Sequence, residues 1–197
     1  MFLRPLIFTY PYFIPFWLVY LWAMAPEMTL MRTAREQAKN AESKDAGSVQ
    51  LIFWVGQLGL YAAFFFAFVR FGGMRPLVPL FWVGTLLILL GSLLRRHCFR
   101  ILGEYFTGDV KARADQPVID RGAYRFVRHP SYTAGMILFT GIGLGFGNWI
   151  GFVLLMASVL VGYIYRVRVE EKALMETIGE PYVAFMKTRR RYIPYVI

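Results

Sequence analysis

The residues best suited to chemistry lie at positions 121–132, where three arginines, a histidine and two tyrosines precede a long uncharged segment. A second polar cluster, Arg166, Glu170 and Glu171, follows that segment. Arg166 and Glu170 are four residues apart and therefore share one face of a helix. An arginine can hold a carboxylate through two parallel hydrogen bonds, and a carboxylate can accept hydrogen bonds from ribose hydroxyls or an ammonium group. Tyrosine rings can wall a purine or face a cationic centre.

The composition indicates a membrane protein. Hydrophobic residues make up 57% of the 197 residues and charged residues 17%, whereas soluble domains have roughly 45–50% and 25%. The net charge of +10 does not favour nucleic-acid binding, because the charges are few and are separated by apolar runs. The single cysteine, Cys98, excludes an intrachain disulfide and a cysteine-rich metal site.

The apolar runs predict an all-α integral membrane protein with about five transmembrane helices. Three single spans and one uncharged hairpin, turned at Gly147 and Asn148, are expected at 5–25, 49–69, 77–94 and 131–165. The hairpin needs two short or tilted helices, because 35 residues at about 1.5 Å rise each allow little loop. The glycines at 143, 147 and 151 are spaced for close helix packing.

The segments between the spans are polar. Residues 26–48 are expected to form a surface connector of balanced charge, and 95–130 a basic segment that begins as an amphipathic helix near 95–106 and continues as a loop. The chain after 182 reads as an interfacial aromatic and basic tail.

The hairpin must begin and end on the same side of the membrane, so it brings residues 121–132 beside residues 166–171. With 95–130 in the cytoplasm, 19 of the 22 Lys and Arg residues and all 12 acids fall on that side. This asymmetry follows the positive-inside rule. It predicts a cytoplasmic site, with the N-terminus outside and the C-terminus inside.

Four motifs, taken together, resemble the isoprenylcysteine carboxyl methyltransferase family. They are GAYRFVRHPSY at 122–132, EExxL at 170–174, GEPY at 179–182 and RRRYIP at 189–194. The resemblance covers about residues 95–197, which would form the methyltransferase core, while 1–94 match only as generic spans. It implies a membrane enzyme that uses S-adenosylmethionine and has fewer spans than the animal members, closer to the prokaryotic ones.

The resemblance also implies a site. Arg166 would face the substrate near its carboxylate, as the catalytic residue. Residues 116–119 would form a strand-like stretch that lines the cofactor. At its first position this chain has Gln116, where the animal enzymes have a histidine. The cofactor-binding residues implied are Gln116, Pro117, Val118, Ile119, Tyr124, His129, Pro130, Ser131, Tyr132 and Glu170.

The acceptor remains open between a lipophilic carboxylate and several alternatives. A phospholipid N-methyltransferase or a small-thiol S-methyltransferase shares this layout, although an amine or thiol must lose a proton and His129 is the evident base. An NADPH-dependent membrane reductase of the sterol type would need more cations for its 2′-phosphate. A non-catalytic scaffold would bind no cofactor. The partners expected are an acceptor molecule and membrane lipid, without nucleic acid or metal, in a prokaryotic cell membrane.

Overall fold

The computed structural model describes residues 4–37, 45–106 and 116–192, and within these ranges all regular secondary structure is helical. Short 3-10 turns occur at Leu6–Phe8, Gly103–Tyr105 and Gly122–Arg125. The α-helices are α1 (Phe13–Gln37), α2 (Ser48–Ala67), α3 (Leu77–Leu102), α4 (Pro130–Phe146), α5 (Trp149–Ile178) and α6 (Glu180–Thr188).

Four of these helices contain a stretch long and apolar enough to cross a membrane: α1, within Phe13–Arg32, α2, α3 and α5. The chain is therefore a multi-pass membrane protein. The remaining predicted span corresponds to α4. This helix has 17 residues and so rises about 25 Å, slightly less than a hydrocarbon core of roughly 30 Å. Helices α4 and α5 form the expected hairpin, but α5 has 30 residues, so the hairpin consists of one short and one long helix and not of two short ones.

The hairpin turn lies at the predicted residues and carries more contacts than the sequence indicates. Gly147 adopts a φ of 75°, in the left-handed region that favours glycine. The Asn148 side chain accepts hydrogen bonds from the backbone N–H groups of Ile150 and Gly151, at 2.9 and 3.3 Å, and so caps α5. Its amide donates to the carbonyls of Val69 and Phe71. One asparagine therefore joins the α4–α5 turn to the loop between α2 and α3.

The ends of the apolar runs were predicted less well than the runs. Helix α1 continues to Gln37, through much of the segment expected to be a connector. Helix α3 continues past residue 94 as far as Leu102, so the helix expected near 95–106 is the continuation of the third span. Part of the tail is helical, because Pro181 fits the first turn of α6. Residues 38–44 of the expected connector, residues 107–115 of the expected basic segment and the chain beyond 192 lie outside the described residues.

The closest helix contact is between α3 and α4, at glycines. A Cβ added at Gly91 would lie 2.6 Å from the backbone nitrogen of Leu138, and one at Gly141 would lie 2.5 Å from the Gly84 carbonyl oxygen. Small residues let two backbones approach in this way. These glycines thereby hold α3 against α4, the first helix of the hairpin.

The three glycines that were expected to allow close helix packing have different roles. Gly143 faces Phe152 within the hairpin, and Gly151 packs against Ala63 of α2. Gly147 forms the turn.

Gly91→Ala is expected to destabilise the protein by about 1–3 kcal/mol, because the new methyl group overlaps backbone atoms of α4 that cannot move aside. Thermal unfolding in detergent measures the effect. Gly56→Ala, in α2, is the matched control: its Cβ meets nothing within 4 Å, and the gain in helix propensity should leave stability unchanged or raised by up to about 1 kcal/mol. Equal unfolding midpoints for the two variants would contradict this account of the α3–α4 contact.

Candidate active site

A cavity of about 110 Å³ lies between the loop at 116–132 and the polar end of α5. All but one of the predicted site residues line it; the exception is Pro130, which is buried at the first position of α4. Residues 116–120 form irregular backbone and not a strand. The predicted residues in the lining are Gln116, Pro117, Val118, Ile119, Tyr124, His129, Ser131, Tyr132, Arg166 and Glu170. We call this space the loop-side cavity.

The two predicted residues of α5 have different partners. The Tyr132 hydroxyl donates to Glu170 Oε2 at 2.8 Å, which joins α4 to α5 across the cavity. The Arg166 guanidinium is buried and donates through one terminal nitrogen to Asp45 and, at 2.8 Å, to Ser48 Oγ. Arg166 therefore contacts the start of α2, and Glu170 contacts Tyr132 of α4.

Two buried tyrosines supply hydroxyl groups to the loop-side cavity. The Tyr124 side chain is 6% exposed, and its hydroxyl has no hydrogen-bond partner among the described residues. Burial, with Glu170 nearby, raises the pKa of Tyr124. Burial also raises the pKa of Tyr182, again with carboxylates nearby. Both hydroxyls are therefore protonated at neutral pH, and Tyr124 holds a polar group that a ligand in the cavity could satisfy.

A second cavity, of about 440 Å³, lies among the apolar helices. We call it the interhelical cavity. Its walls come from α1, α2, α3, α4 and α5, and apolar side chains dominate them: Met24, Met28, Leu30, Met31, Val49, Ile52, Phe53, Leu60, Phe99, Phe106, Phe139 and Val159. The polar side of the wall includes Glu27 and Arg95, which form an ion pair, and Arg95 also donates to the Ser131 carbonyl at 2.8 Å.

The two cavities share four lining residues: Phe106, Ser131, Tyr132 and Arg166. Tyr132 and Arg166 are the polar members whose side chains also contact Glu170 and Asp45, respectively. A molecule in one cavity and a molecule in the other would therefore meet at these side chains.

Behind the loop-side cavity, the Glu171 carboxylate binds three cationic or hydrogen-bonding groups. The side chain is buried, with Arg128 at 3.0 Å, His129 Nε2 at 3.2 Å and Arg191 at 2.8 Å. The hydrogen bonds to Glu171 raise the pKa of Arg191, so that arginine stays charged. His129 lines the cavity, and its Nε2 is bound to the Glu171 carboxylate.

The residues after α6 pair with the loop before α4. The backbone N–H groups of Arg128 and His129 donate to the carbonyls of Arg190 and Arg191, at 2.8 and 2.9 Å. The Thr133 hydroxyl donates to the Tyr192 carbonyl at 2.7 Å. The segment 189–192, expected to be an interfacial tail, is therefore part of the structure that positions the loop-side cavity.

Sequence reasoning missed Asp45, the Glu171 contacts and the contribution of Tyr182. The motif that contains Tyr182 was visible, and Glu171 stood beside Glu170, but the sequence does not distinguish which of two adjacent acids faces a cavity. Asp45 lies 121 positions from Arg166, so no local spacing could have paired them. Among the described residues, no group of three or more His, Cys, Asp or Glu could hold a metal ion.

Glu171→Gln is expected to destabilise the protein by about 3–5 kcal/mol, because it leaves buried Arg128 without its anion. Thermal unfolding in detergent and tryptic cleavage at Lys187–Arg191 should both detect the release of the tail. The matched control is Glu176→Gln, on the same helix, whose pairing with Lys172 is exposed and 3.9 Å long and should contribute at most about 0.5 kcal/mol. Wild-type stability and tail protection in Glu171→Gln would disprove the role of this carboxylate.

Comparison with known proteins finds relatives of this chain. Protein-S-isoprenylcysteine O-methyltransferase B of Arabidopsis thaliana is 28% identical over 115 residues, which cover 57% of this chain and 58% of that protein. The Saccharomyces cerevisiae protein-S-isoprenylcysteine O-methyltransferase is 28% identical over 116 residues, covering 58% and 48%. Methanethiol S-methyltransferase of a Pseudomonas species is 29% identical over 126 residues, covering 62% and 46%.

The matches thus span 46–58% of the length of these three relatives. A family model described as phospholipid methyltransferase matches residues 79–180, more than half of the 197-residue chain. That region contains α3, the loop-side cavity residues at 116–132, and the α4–α5 hairpin. The chain belongs to the phospholipid methyltransferase family.

Proposed function

We propose that the protein is an integral membrane methyltransferase that transfers a methyl group from S-adenosylmethionine to the carboxylate of a lipophilic, isoprenylcysteine-like acceptor. The observation that carries the proposal is the junction of two unlike cavities at Tyr132 and Arg166. One cavity is lined by polar and aromatic side chains, and the other by apolar side chains of membrane helices. A polar methyl donor and a lipophilic acceptor would occupy them separately.

The residues of the loop-side cavity fit S-adenosylmethionine. The unpartnered Tyr124 hydroxyl is a buried donor that a polar ligand would satisfy. Glu170 offers a carboxylate to ribose hydroxyls or to the ammonium group, and the Tyr124, Tyr132 and Tyr182 rings offer faces to the purine or the sulfonium. The bound cofactor would supply the methyl group on a positively charged sulfur, a good leaving group.

The interhelical cavity fits the lipophilic part of an acceptor. Methionine and phenylalanine side chains dominate its lining, and methionine adapts to irregular apolar shapes. The acceptor would reach this cavity from the bilayer, while the cofactor would enter from the cytoplasmic side predicted by the charge distribution. Its reactive end would then lie at the junction, where Arg166 can orient it.

A carboxylate acceptor suits the groups present at the junction. Carboxylates are ionised at neutral pH and need no general base. Arg166 would hold the acceptor in line with the bond to be broken, and the surrounding apolar helices would exclude water. The bond from the methyl carbon to the carboxylate oxygen would form as the carbon–sulfur bond breaks, and the electron pair of the broken bond would stay on sulfur.

A thiol acceptor is the second candidate, because one relative is a methanethiol S-methyltransferase. A thiol must be deprotonated before it attacks, and His129 was the evident base in the sequence. In the structure the His129 ring is bound to Glu171 behind the cavity. A histidine bound to a carboxylate through one ring nitrogen can still act as a base through the other, so this contact does not separate the two acceptors. The size of the interhelical cavity favours a large acceptor over methanethiol.

Glu170→Ala should weaken binding of S-adenosylmethionine by about tenfold or more, because charge-assisted hydrogen bonds contribute roughly 1.5–3 kcal/mol each. Isothermal titration calorimetry on the detergent-purified protein measures the affinity. Glu176→Ala, at a partly exposed position on the same helix, should bind like the wild type. Unchanged affinity in Glu170→Ala would reject the assignment. Binding of NADPH in place of S-adenosylmethionine by the wild type would reject the proposed cofactor.

Gly56→Leu tests the acceptor cavity. Gly56 lines the interhelical cavity, and a side chain there begins in open space. The leucine should therefore fill the cavity and raise KM for N-acetyl-S-farnesyl-cysteine several-fold, without changing the affinity for S-adenosylmethionine. Leu58→Phe is the control, since Leu58 is 70% exposed on the same helix. If KM is unchanged, the acceptor does not bind there; methylation of methanethiol but not of the farnesylated probe would establish the thiol alternative.

A further inference from the structure

We propose that Asp45 is a positioning residue for the acceptor, which acts by fixing the direction of the Arg166 guanidinium at the junction of the two cavities. The inference rests on the proposed methyltransferase function. It assigns a role to the segment before α2, which lies outside the region that the family model matches.

The contacts of Asp45 are buried and numerous. Asp45 is 2% exposed, and its Oδ1 accepts hydrogen bonds from an Arg166 terminal nitrogen and, at 2.7 Å, from the Ser48 hydroxyl. Its Oδ2 accepts from the Val49 backbone N–H at 3.0 Å, which caps α2. Ser48 Oγ accepts from the same Arg166 nitrogen at 2.8 Å. One end of α2 thus holds one end of the guanidinium.

The backbone around Asp45 is shaped to make this contact. Ala46 has a φ of 48° and Gly47 a φ of 76°, so two consecutive residues adopt the left-handed conformation. This conformation is costly for alanine and persists only where surrounding contacts impose it. The Tyr165 hydroxyl, next to Arg166 on α5, donates to the Ala46 carbonyl at 2.9 Å. The loop is therefore fastened to α5 at two adjacent positions.

The position of Arg166 gives this contact a consequence for the reaction. Arg166 lines both cavities, so the direction of its guanidinium decides how an acceptor carboxylate is held. An arginine held by two buried oxygens loses the freedom to follow a misplaced acceptor. Asp45 also offsets the positive charge, so Arg166 can orient the carboxylate with less stabilisation of its ground state.

Asp45→Asn separates the positioning role from the capping role, because an asparagine oxygen can still cap α2 while the anion is lost. We expect kcat with N-acetyl-S-farnesyl-cysteine to fall about ten- to a hundred-fold. The affinity for S-adenosylmethionine, measured by calorimetry, should stay within about twofold of wild type, because Asp45 does not line the loop-side cavity. A wild-type kcat in Asp45→Asn would overturn the proposal.

Tyr165→Phe is the matched control, since it removes the other contact of the same loop with α5 and leaves the Asp45–Arg166 pair in place. It should retain kcat within about twofold. A loss as large as that in Asp45→Asn would show that the loop has only a structural role, and would overturn the proposal.

A double-mutant cycle shows whether Asp45 acts through Arg166. In an Arg166→Gln background, Asp45→Asn should lower kcat no further, and it should raise the unfolding midpoint, because Arg166→Gln alone leaves a buried carboxylate unpaired. Equal losses in both backgrounds would overturn the proposal. Absence of methyl transfer by the wild type to farnesyl-cysteine, a phospholipid amine and methanethiol alike would instead reject the proposed function, so the two failures are distinguishable.

Discussion

The polar half of the protein depends on one buried carboxylate, that of Glu171. It joins three separate segments: α5, which carries Glu171, the loop before α4 through Arg128 and His129, and the chain after α6 through Arg191. A buried carboxylate is costly unless its oxygens are fully bound, and two arginines and a histidine bind these. Moving any one segment away would leave the buried carboxylate without one or more of its partners, which is costly in free energy. The three segments therefore stay together, and the loop-side cavity lies between them.

A second buried ion pair connects this polar half to the membrane helices. Arg166 leaves the uncharged part of α5 and meets Asp45, which comes from the opposite end of the sequence. A guanidinium at this depth needs an anion or a ligand carboxylate. Asp45 binds one end of the guanidinium whether or not an acceptor is bound. The Arg166 side chain can therefore lie buried in the free protein, and the junction between the cavities is formed before the acceptor binds.

The sequence predicted the class, the hairpin and most of the cavity lining, because each depends on local information. The uncharged run between Tyr132 and Arg166 requires a hairpin, and a hairpin requires its two ends to be neighbours. The motif residues were then located by resemblance. The contacts of Asp45 and the docking of residues 189–192 could not be predicted, since they join segments that no periodicity or spacing relates. The ends of the first span were also misplaced, because α1 begins at Phe13 and continues to Gln37 on residues with adequate helix propensity.

The separation of the two cavities follows from the chemistry they would have to serve. A methyl group transferred in line must have its donor on one side and its acceptor on the other, and the proposed donor is polar while the proposed acceptor is lipophilic. A single open pocket would expose the apolar chain to the polar lining and admit water to the reacting atoms. Tyr132 and Arg166 form a narrow polar boundary between the two spaces, and each is held by a carboxylate from a different helix or loop. The boundary can therefore be thin enough for the reacting atoms to meet across it and still keep its shape in the absence of either molecule.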